Sequence, residues 1–385
     1  MTRVLPEVDL EICRQKNAEK WRLYPPDVLP VWVADMDFEV APAVREVLRN
    51  ALERSDWGYP LDPRRSEIPE VFSERMERKF GWSLDPKRVE VMSEVVQAIY
   101  LALLQFSEPG DGVLVQTPVY PPFLKSVQET ERRLVEVPLV DSSDGYVLDL
   151  DLTRSSCTPE VKILLLCNPH NPTGRVFTSK ELEALAGIAL EHDLIVLSDE
   201  IHADLVYPGH AHTPFASLSP EIAKRTVTFY SASKAFNIAG LRCAVAAFGS
   251  ENLQRRFCGI PRHARGGLSP PGLLATKAAW LEGESWLEDV LSLLRQNRDY
   301  VVSEFPKAIS GISVHAPEAT YLAWLNCGDL HLKPSPYHHF LNKGRTGFSE
   351  GEAFGEPGRD FVRLNFATSK EVLSEVLTRC SSSIE

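Results

Sequence analysis

Between about residues 90 and 250, short apolar runs of strand length alternate with segments that have the length of helices. The apolar runs are GVLVQT, VKILLLC, LIVLSDE, TVTFY and AVAAFG, and the helical segments include VVQAIYLALLQF and SKELEALAGIALEH. Continuous apolar runs are typical of strands buried on both faces, and helical crossovers join parallel strands. The alternation predicts an α/β fold with a mostly parallel central sheet and helices on both of its faces.

The last hundred residues follow a different pattern. A long amphipathic helix is predicted near residues 286–309, followed by the spaced strands TYLAWLN and FVRLNFA and by a closing helix. The first forty residues lack the alternation, so we expect them to join this smaller part. A chain of 385 residues is long enough for two domains. We predict a large α/β domain over residues 40–285 and a small α+β domain from residues 1–39 and 286–385.

Charge and cysteine content exclude several classes of protein. The formal net charge of −12 argues against nucleic acid or an anionic membrane as the main partner. No apolar run reaches the roughly 20 residues of a membrane-spanning helix, and the first residues lack the apolar core of a signal peptide. The seven cysteines form no CxxC pair, which favours reduced thiols over disulfides or a zinc site. We therefore expect a cytoplasmic protein without a metal centre.

Polar residues follow the predicted strands, where ligand groups gather in open α/β sheets. Asn171 lies in the turn after VKILLLC, and Asp199 lies near the end of LIVLSDE. Ser231 and Lys234 follow TVTFY, and Tyr120 follows GVLVQT. This set suits pyridoxal 5′-phosphate. Its aldehyde reacts with a lysine, its ring nitrogen needs an anionic partner, and its phosphate needs N–H donors and cations.

Several motifs, in order, carry a resemblance to a known family. They are VWVADMDF, WGYP, CNPHNPTGRVF, SDEIHADLVY, SASKAFNIAGL and FVRLNFA. Over essentially its whole length the chain resembles fold-type I pyridoxal-phosphate enzymes of the class I/II aminotransferase superfamily. Within that group it is most similar to the MalY/PatB branch of cystathionine β-lyases, or cysteine C–S lyases. The resemblance implies pyridoxal 5′-phosphate as cofactor, an amino-acid substrate and a homodimer with shared active sites.

The resemblance also implies roles for individual residues. Lys234 corresponds to the lysine that forms a Schiff base with the cofactor, and Asp199 corresponds to the partner of the ring nitrogen. The other implied cofactor contacts are Asn171 and His202 at the phenolic oxygen, Tyr120 on the ring face, and Ser231, Arg242 and the amides of Val95 and Val96 at the phosphate.

Two further residues are implied to act at the edges of the site. Arg363 corresponds to the arginine that binds the substrate carboxylate, and Tyr59 to a residue that reaches the phosphate in the neighbouring subunit. Glu94 departs from the family pattern, which usually has a small residue, often glycine, at this helix start. We expect the Glu94 carboxylate to turn away from the phosphate, or the loop to shift.

Each of these residues also has a plainer interpretation. Asp199 could be an ordinary carboxylate at a strand end, Asn171 could shape a turn, and Arg363 could face outward from its strand. Tyr120, beside several prolines, could serve loop packing. Their joint order and spacing favour the interpretation as one site.

The resemblance implies a β-lyase that cleaves cystathionine or another S-substituted cysteine to pyruvate, ammonia and a thiol. An aminotransferase is the alternative, because both reactions begin when Lys234 removes the proton from the substrate Cα. A biosynthetic lyase for a bulky conjugate also stays open. A non-catalytic regulator with the same fold is a further alternative, but the intact lysine, aspartate and arginine set argues against it.

Overall fold

The computed structural model describes residues 8–60, 62, 65–143 and 145–384. Its strands are β1 (Leu29–Pro30), β2 (Val89–Met92), β3 (Gly112–Thr117), β4 (Arg133–Pro138), β5 (Val140–Ser142), β6 (Gly145–Val147), β7 (Val161–Cys167), β8 (Ile195–Asp199), β9 (Thr226–Tyr230), β10 (Ala244–Phe248), β11 (Leu322–Asn326), β12 (Thr346–Gly347), β13 (Ser349–Glu350) and β14 (Phe361–Asn365).

The α-helices lie before, between and after these strands. They are α1 (Leu10–Gln15), α2 (Glu19–Arg22), α3 (Pro42–Glu53), α4 (Ile68–Phe80), α5 (Val95–Phe106), α6 (Pro121–Glu129), α7 (Leu150–Ser156), α8 (Ser179–Glu191), α9 (Pro220–Ala223), α10 (Glu251–Cys258), α11 (Pro270–Glu282), α12 (Glu284–Ala308), α13 (Pro336–Asn342) and α14 (Lys370–Ser382).

A seven-stranded sheet forms the centre of the large part of the molecule, in the order β2-β10-β9-β8-β7-β3-β4. Strands β9, β8, β7, β3 and β4 pair in parallel, whereas β10 runs antiparallel to both of its neighbours. The predicted α/β fold with a mostly parallel sheet is confirmed. The parallel pairs place the carboxyl ends of their strands along one edge, which is where ligand groups are expected.

Successive side chains of each central strand point to opposite faces of the sheet. Val113 and Val115 of β3 join an apolar core with α5 and α6, while Leu114 joins a second core with α8. Helix α8 begins with a capping box between Thr178 and Glu181, which satisfies amide groups at the first turn. Both faces are covered by helices, as predicted, and this explains why β3 and β7 carry apolar residues that point to either face.

The C-terminal part contains a small antiparallel sheet in the order β11-β14-β13. The N-terminal segment joins this part, because β1 pairs in parallel with β12. Helix α12 runs across the predicted boundary at residue 286, and one apolar core contains both Val245 of β10 and Leu364 of β14. The division into residues 40–285 and 1–39 with 286–385 therefore stays a prediction.

Two further observations concern the whole chain. None of the seven cysteines forms a disulfide with another described residue, and six of them are buried. Among the helices of the described residues, none is long and apolar enough to cross a membrane.

Candidate active site

One cavity of about 1070 Å³ opens where β8 and β9 end and α5 begins. It is also lined by residues of the N-terminal segment, among them Ala34 and Asp35. Nine of the eleven residues predicted for the site line this cavity: Val95, Val96, Tyr120, Asn171, Asp199, His202, Ser231, Lys234 and Arg242.

Lys234 follows β9 and is only partly exposed within the cavity. Its Nζ atom donates a hydrogen bond to the backbone oxygen of Ala34, at 3.0 Å. Burial lowers the pKa of the Lys234 amine, and the negative charge of Asp35 opposes this shift. A lowered pKa increases the share of the neutral amine, which is the form that acts as nucleophile or base.

Asp199 is the last residue of β8 and is 5% exposed. One of its carboxylate oxygens accepts the Ile201 N–H at 3.0 Å, and the carboxylate forms no ion pair with any described residue. Burial raises the pKa of Asp199 to about 7, although the Ile201 N–H and the positive charge of Lys234 oppose this shift. A cationic or N–H partner from the cavity would therefore stabilise the ionised form of this buried carboxyl group.

His202 and Asn171 line the cavity with unused polar atoms. His202 is buried, and its Nδ1 atom has no hydrogen-bond partner among the described residues. Burial, aided by the positive charges of Lys234 and Arg363, lowers the pKa of His202 to about 3, so the ring is neutral at pH 7. The side-chain nitrogen of Asn171 donates to no described residue, because only its oxygen is engaged. Both side chains can therefore meet a ligand atom.

Arg363 lies on β14 and is buried, which contradicts the plainer interpretation of an outward-facing strand residue. Its Nη1 atom donates to Asn171 Oδ1 at 2.9 Å, and its Nη2 atom donates to the Trp32 carbonyl and to Ser349 Oγ, both at 3.0 Å. Burial lowers the pKa of Arg363 to about 10, so the guanidinium remains charged at neutral pH. These contacts fix the guanidinium plane beside Asn171, a residue of the cavity wall.

The residues predicted for a phosphate group cluster at the N-terminus of α5. The amides of Val95 and Val96 have no acceptor among the described residues, as is usual in the first turn of a helix. Ser231 Oγ donates to the Cys243 carbonyl at 2.6 Å. Arg242 forms an ion pair with Glu94, so the Glu94 carboxylate faces this cation rather than turning away from the predicted phosphate position.

Tyr59 does not line the cavity. It follows α3 and its side chain is fully exposed, beside the half-exposed Trp57. The structure of one chain does not bring Tyr59 to the other predicted residues, so its role in a neighbouring subunit stays a prediction.

The profile of the family described as aminotransferase class I and II matches residues 27–379. This chain belongs to the class I and II aminotransferase family. The predicted family membership is confirmed, and the match includes every residue assigned to the site.

The relatives within this family include enzymes named for carbon–sulfur cleavage. Cystathionine beta-lyase of Corynebacterium glutamicum is 34% identical over 374 residues, which cover 97% of this chain and 98% of that protein. Cystathionine beta-lyase PatB of Bacillus subtilis is 34% identical over 365 residues, with 93% of each protein covered. The crystal structure of cystalysin from Treponema denticola, which contains pyridoxal 5′-phosphate, matches with a TM-score of 0.93, 30% identity and 99% coverage of both chains.

The cavity of this family member fits pyridoxal 5′-phosphate on several independent observations. The buried carboxylate of Asp199 forms no ion pair with any described residue, and a protonated ring nitrogen would supply one. The unpartnered Nδ1 atom of His202 and the free amide nitrogen of Asn171 suit a ring oxygen. Within the part of the chain that the structure describes, the Lys234 amine donates only to the Ala34 backbone oxygen, which leaves it available to an aldehyde.

Three residues of the site were missed in the sequence. Asp35 lines the cavity and its charge acts on Lys234, yet within VWVADMDF it was assigned no role. Tyr321, at the start of TYLAWLN, donates its hydroxyl to the Ala34 carbonyl at 2.8 Å. Ser349 Oγ accepts from Arg363 and donates to the Trp32 carbonyl at 2.9 Å. The two carboxylates of the otherwise apolar motif VWVADMDF were the available signal for Asp35, whereas Ser349 carried no signal.

Proposed function

We propose that this chain is a pyridoxal-phosphate-dependent carbon–sulfur β-lyase. The reaction converts an S-substituted cysteine and one water into pyruvate, ammonium and a free thiol. The observation that carries the proposal is the buried, uncompensated carboxylate of Asp199 in the same cavity as the Lys234 amine. The full-length similarity to cystathionine β-lyases supports this reaction for this member of the family.

The described residues would hold the cofactor at three places. Lys234 would hold its aldehyde carbon, and Asp199 its ring nitrogen. The phosphate would lie at the first amides of α5, near Ser231 and Arg242. Asn171, His202 and Tyr120 would surround the ring, because all three line the cavity between these ends.

The substrate is oriented by charge and activated by a base. Arg363 is a buried cation with its guanidinium fixed by three acceptors, so it can bind the substrate carboxylate with two nitrogens if some of those contacts exchange. Lys234 takes the Cα proton as general base, which its lowered pKa favours. The bound cofactor supplies an electron sink for the charge that develops at Cα. The C–S bond then breaks at Cβ, and Lys234 can return its proton to the leaving sulfur.

The aminotransferase alternative uses the same base and the same carboxylate contact. The two reactions differ in whether loss of the thiolate from Cβ is faster than reprotonation at the cofactor carbon. A barrier difference of about 1.4 kcal/mol already gives tenfold selectivity, so minor transamination is compatible with a lyase.

The test is an assay of the purified holoenzyme with cystathionine and a panel of S-substituted cysteines. We expect pyruvate, ammonia and thiol in equal amounts, without any added 2-oxo acid. Lys234→Ala should abolish turnover, whereas Lys162→Ala, at an exposed lysine outside the cavity, should retain it. If turnover requires a 2-oxo acid acceptor and no thiol is released, the enzyme is an aminotransferase and the lyase proposal is wrong.

We also propose that the active form is a homodimer in which Tyr59 completes the phosphate site of the partner subunit. The full exposure of Tyr59 in the single chain supports this, since a tyrosine without packing contacts is available to a second copy. A cytoplasmic location stays a prediction.

A further inference from the structure

Glu94 and Arg242 form an ion pair at the N-terminus of α5, within the candidate active site. Glu94 directly precedes the helix, and its side chain makes no capping hydrogen bond to the first turn. The side chains of Glu94 and Arg242 are 43% and 57% exposed. The carboxylate is thus paired with the cation that is predicted to contact the cofactor phosphate.

The same helix start is suited to a phosphate. The amides of Val95 and Val96 have no acceptor among the described residues, and the helix dipole favours a negative group there. Arg242 has a left-handed backbone with φ of 56° and directly follows the short 3-10 turn Ala239–Leu241. A carboxylate and a phosphate are both good ligands of a guanidinium group, so they compete for it.

We propose that Glu94 competes with the phosphate of pyridoxal 5′-phosphate for Arg242 and thereby weakens cofactor binding by this chain. The inference rests on the proposed function, because the cofactor is assigned there. If the ion pair stays intact, the charge of Arg242 is already neutralised. If the phosphate displaces Glu94, a carboxylate remains close to a group of charge about −1.5 to −2. Glu94 opposes the phosphate in both cases.

The pair is still weak enough to be displaced. Half-exposed ion pairs contribute little to stability because water screens them and two long side chains must be held in place. The result is a holoenzyme that releases its cofactor more readily than the same chain with a neutral residue at position 94. Because the competition is electrostatic, added salt should reduce the difference.

Glu94→Gln tests this directly. Cofactor release from the holoenzyme is measured after dilution as the loss of visible absorbance of the Schiff base between Lys234 and the cofactor. Rebinding is measured by titrating the resulting cofactor-free protein with the cofactor. We expect Glu94→Gln to bind pyridoxal 5′-phosphate about tenfold more tightly than the unmodified chain. Glu108→Gln makes the same charge change beyond the other end of α5, where Glu108 is exposed, and should leave the affinity unchanged.

Pyridoxal, which has the same ring without the phosphate, separates the cause from a general change of the site. Its affinity should be equal in the unmodified chain and in Glu94→Gln. Inorganic phosphate should raise the melting temperature of the cofactor-free Glu94→Gln protein more than that of the unmodified chain. Glu94→Gly, which also removes the charge, should repeat both results if Glu94→Gln proves unstable.

The outcomes distinguish this inference from the proposed function. Equal release of pyridoxal 5′-phosphate by both proteins, or an equal gain for pyridoxal, would overturn the role of Glu94 while leaving the lyase proposal intact. A chain that takes up no cofactor at all, with or without the substitution, would overturn both.

Discussion

At the scale of single residues, Arg363 combines burial, charge and a fixed plane. Three acceptors hold its guanidinium beside the cavity wall, and burial lowers its pKa without removing its charge at pH 7. Arg363→Lys keeps the charge but loses the two-nitrogen geometry that matches a carboxylate. We expect kcat/KM for S-substituted cysteines to fall about 100-fold, mainly through a higher KM.

A substrate without a carboxylate provides a control for the contact between Arg363 and the substrate carboxylate. An S-substituted cysteine amide lacks the carboxylate, so its kcat/KM should be low with the unmodified enzyme and change little in Arg363→Lys. Arg154→Lys makes the same substitution in an exposed ion pair and should leave both substrates unaffected. An equal loss for acid and amide would show that Arg363 supports the fold of the site and does not bind the carboxylate.

Residues that react could be predicted from the sequence, whereas contacts between distant residues could not. Asp199 ends an apolar run and Lys234 lies shortly after another, and the end of a parallel strand determines where such a side chain lies. The contact of Arg242 with Glu94 depends on how a loop and a helix start approach each other. Asp35 acts on Lys234 from a segment nearly 200 residues away along the chain, and periodicity says nothing about such pairs.

At the scale of elements, α1 and α2 line the cavity, and α2 is anchored by a buried ion pair. Helix α1 contacts the same segment through a hydrogen bond to the Asp37 carbonyl. Lys20 Nζ lies 2.9 Å from Asp37 Oδ2, with both side chains 1% exposed, and it also donates to the Asp35 carbonyl at 3.1 Å. The Trp21 indole N–H donates to the other Asp37 oxygen at 2.9 Å. These bonds attach the helices to the segment that carries Asp35 and the Lys234 acceptor.

Lys20→Met should therefore destabilise the protein strongly. It leaves Asp37 buried without its cation, which typically costs about 3–5 kcal/mol in the free energy of unfolding. Urea denaturation measures the loss, and Lys20→Met combined with Asp37→Leu should recover part of it. Glu191→Gln breaks the exposed pair with Arg154 and should cost less than about 1 kcal/mol. A small effect of Lys20→Met, equal to that of Glu191→Gln, would contradict the anchoring role.

The central elements could be predicted because they are buried on both faces. Strands β3, β7 and β9 begin and end where their apolar runs do, and α5 spans the predicted helical segment. Strand β4, RLVEVP, lies at the sheet edge and most of its residues are not buried. Because it contains charged residues, the search for apolar runs did not predict it as a strand. The antiparallel direction of β10 could not be predicted from the sequence either, because a buried strand has the same composition in either direction.

At the scale of the whole molecule, the two predicted domains are linked by more than one route. Helix α12 crosses the predicted boundary at residue 286, and a single apolar core reaches from the central sheet into the small sheet. The division at residues 40 and 286 therefore stays a proposal. The structure of one chain does not explain why Tyr59, an aromatic residue near a half-exposed tryptophan, is fully exposed.

A shared site explains Tyr59 and can be tested by mixing two defective chains. Lys234→Ala removes the base of its own site, and Tyr59→Ala removes a phosphate contact from the partner's site. In a mixed dimer one site carries both defects, and the other is formed by unmodified Lys234 and unmodified Tyr59. Co-expression in equal amounts should restore up to about a quarter of the normal activity, assayed where cofactor saturates only the unmodified enzyme.

A single substitution, Tyr59→Phe, measures how much this contact contributes to cofactor binding. Tyr59→Phe removes only the hydroxyl, and loss of a hydrogen bond to a charged group costs about 1–2 kcal/mol, or roughly tenfold in the dissociation constant of the cofactor. Tyr300→Phe makes the same change on α12, away from the cavity, and should have no effect. If mixed dimers form but show no activity beyond that of the separate variants, each site is complete within one chain. Tyr59 would then belong to the surface of the subunit and not to its partner's active site.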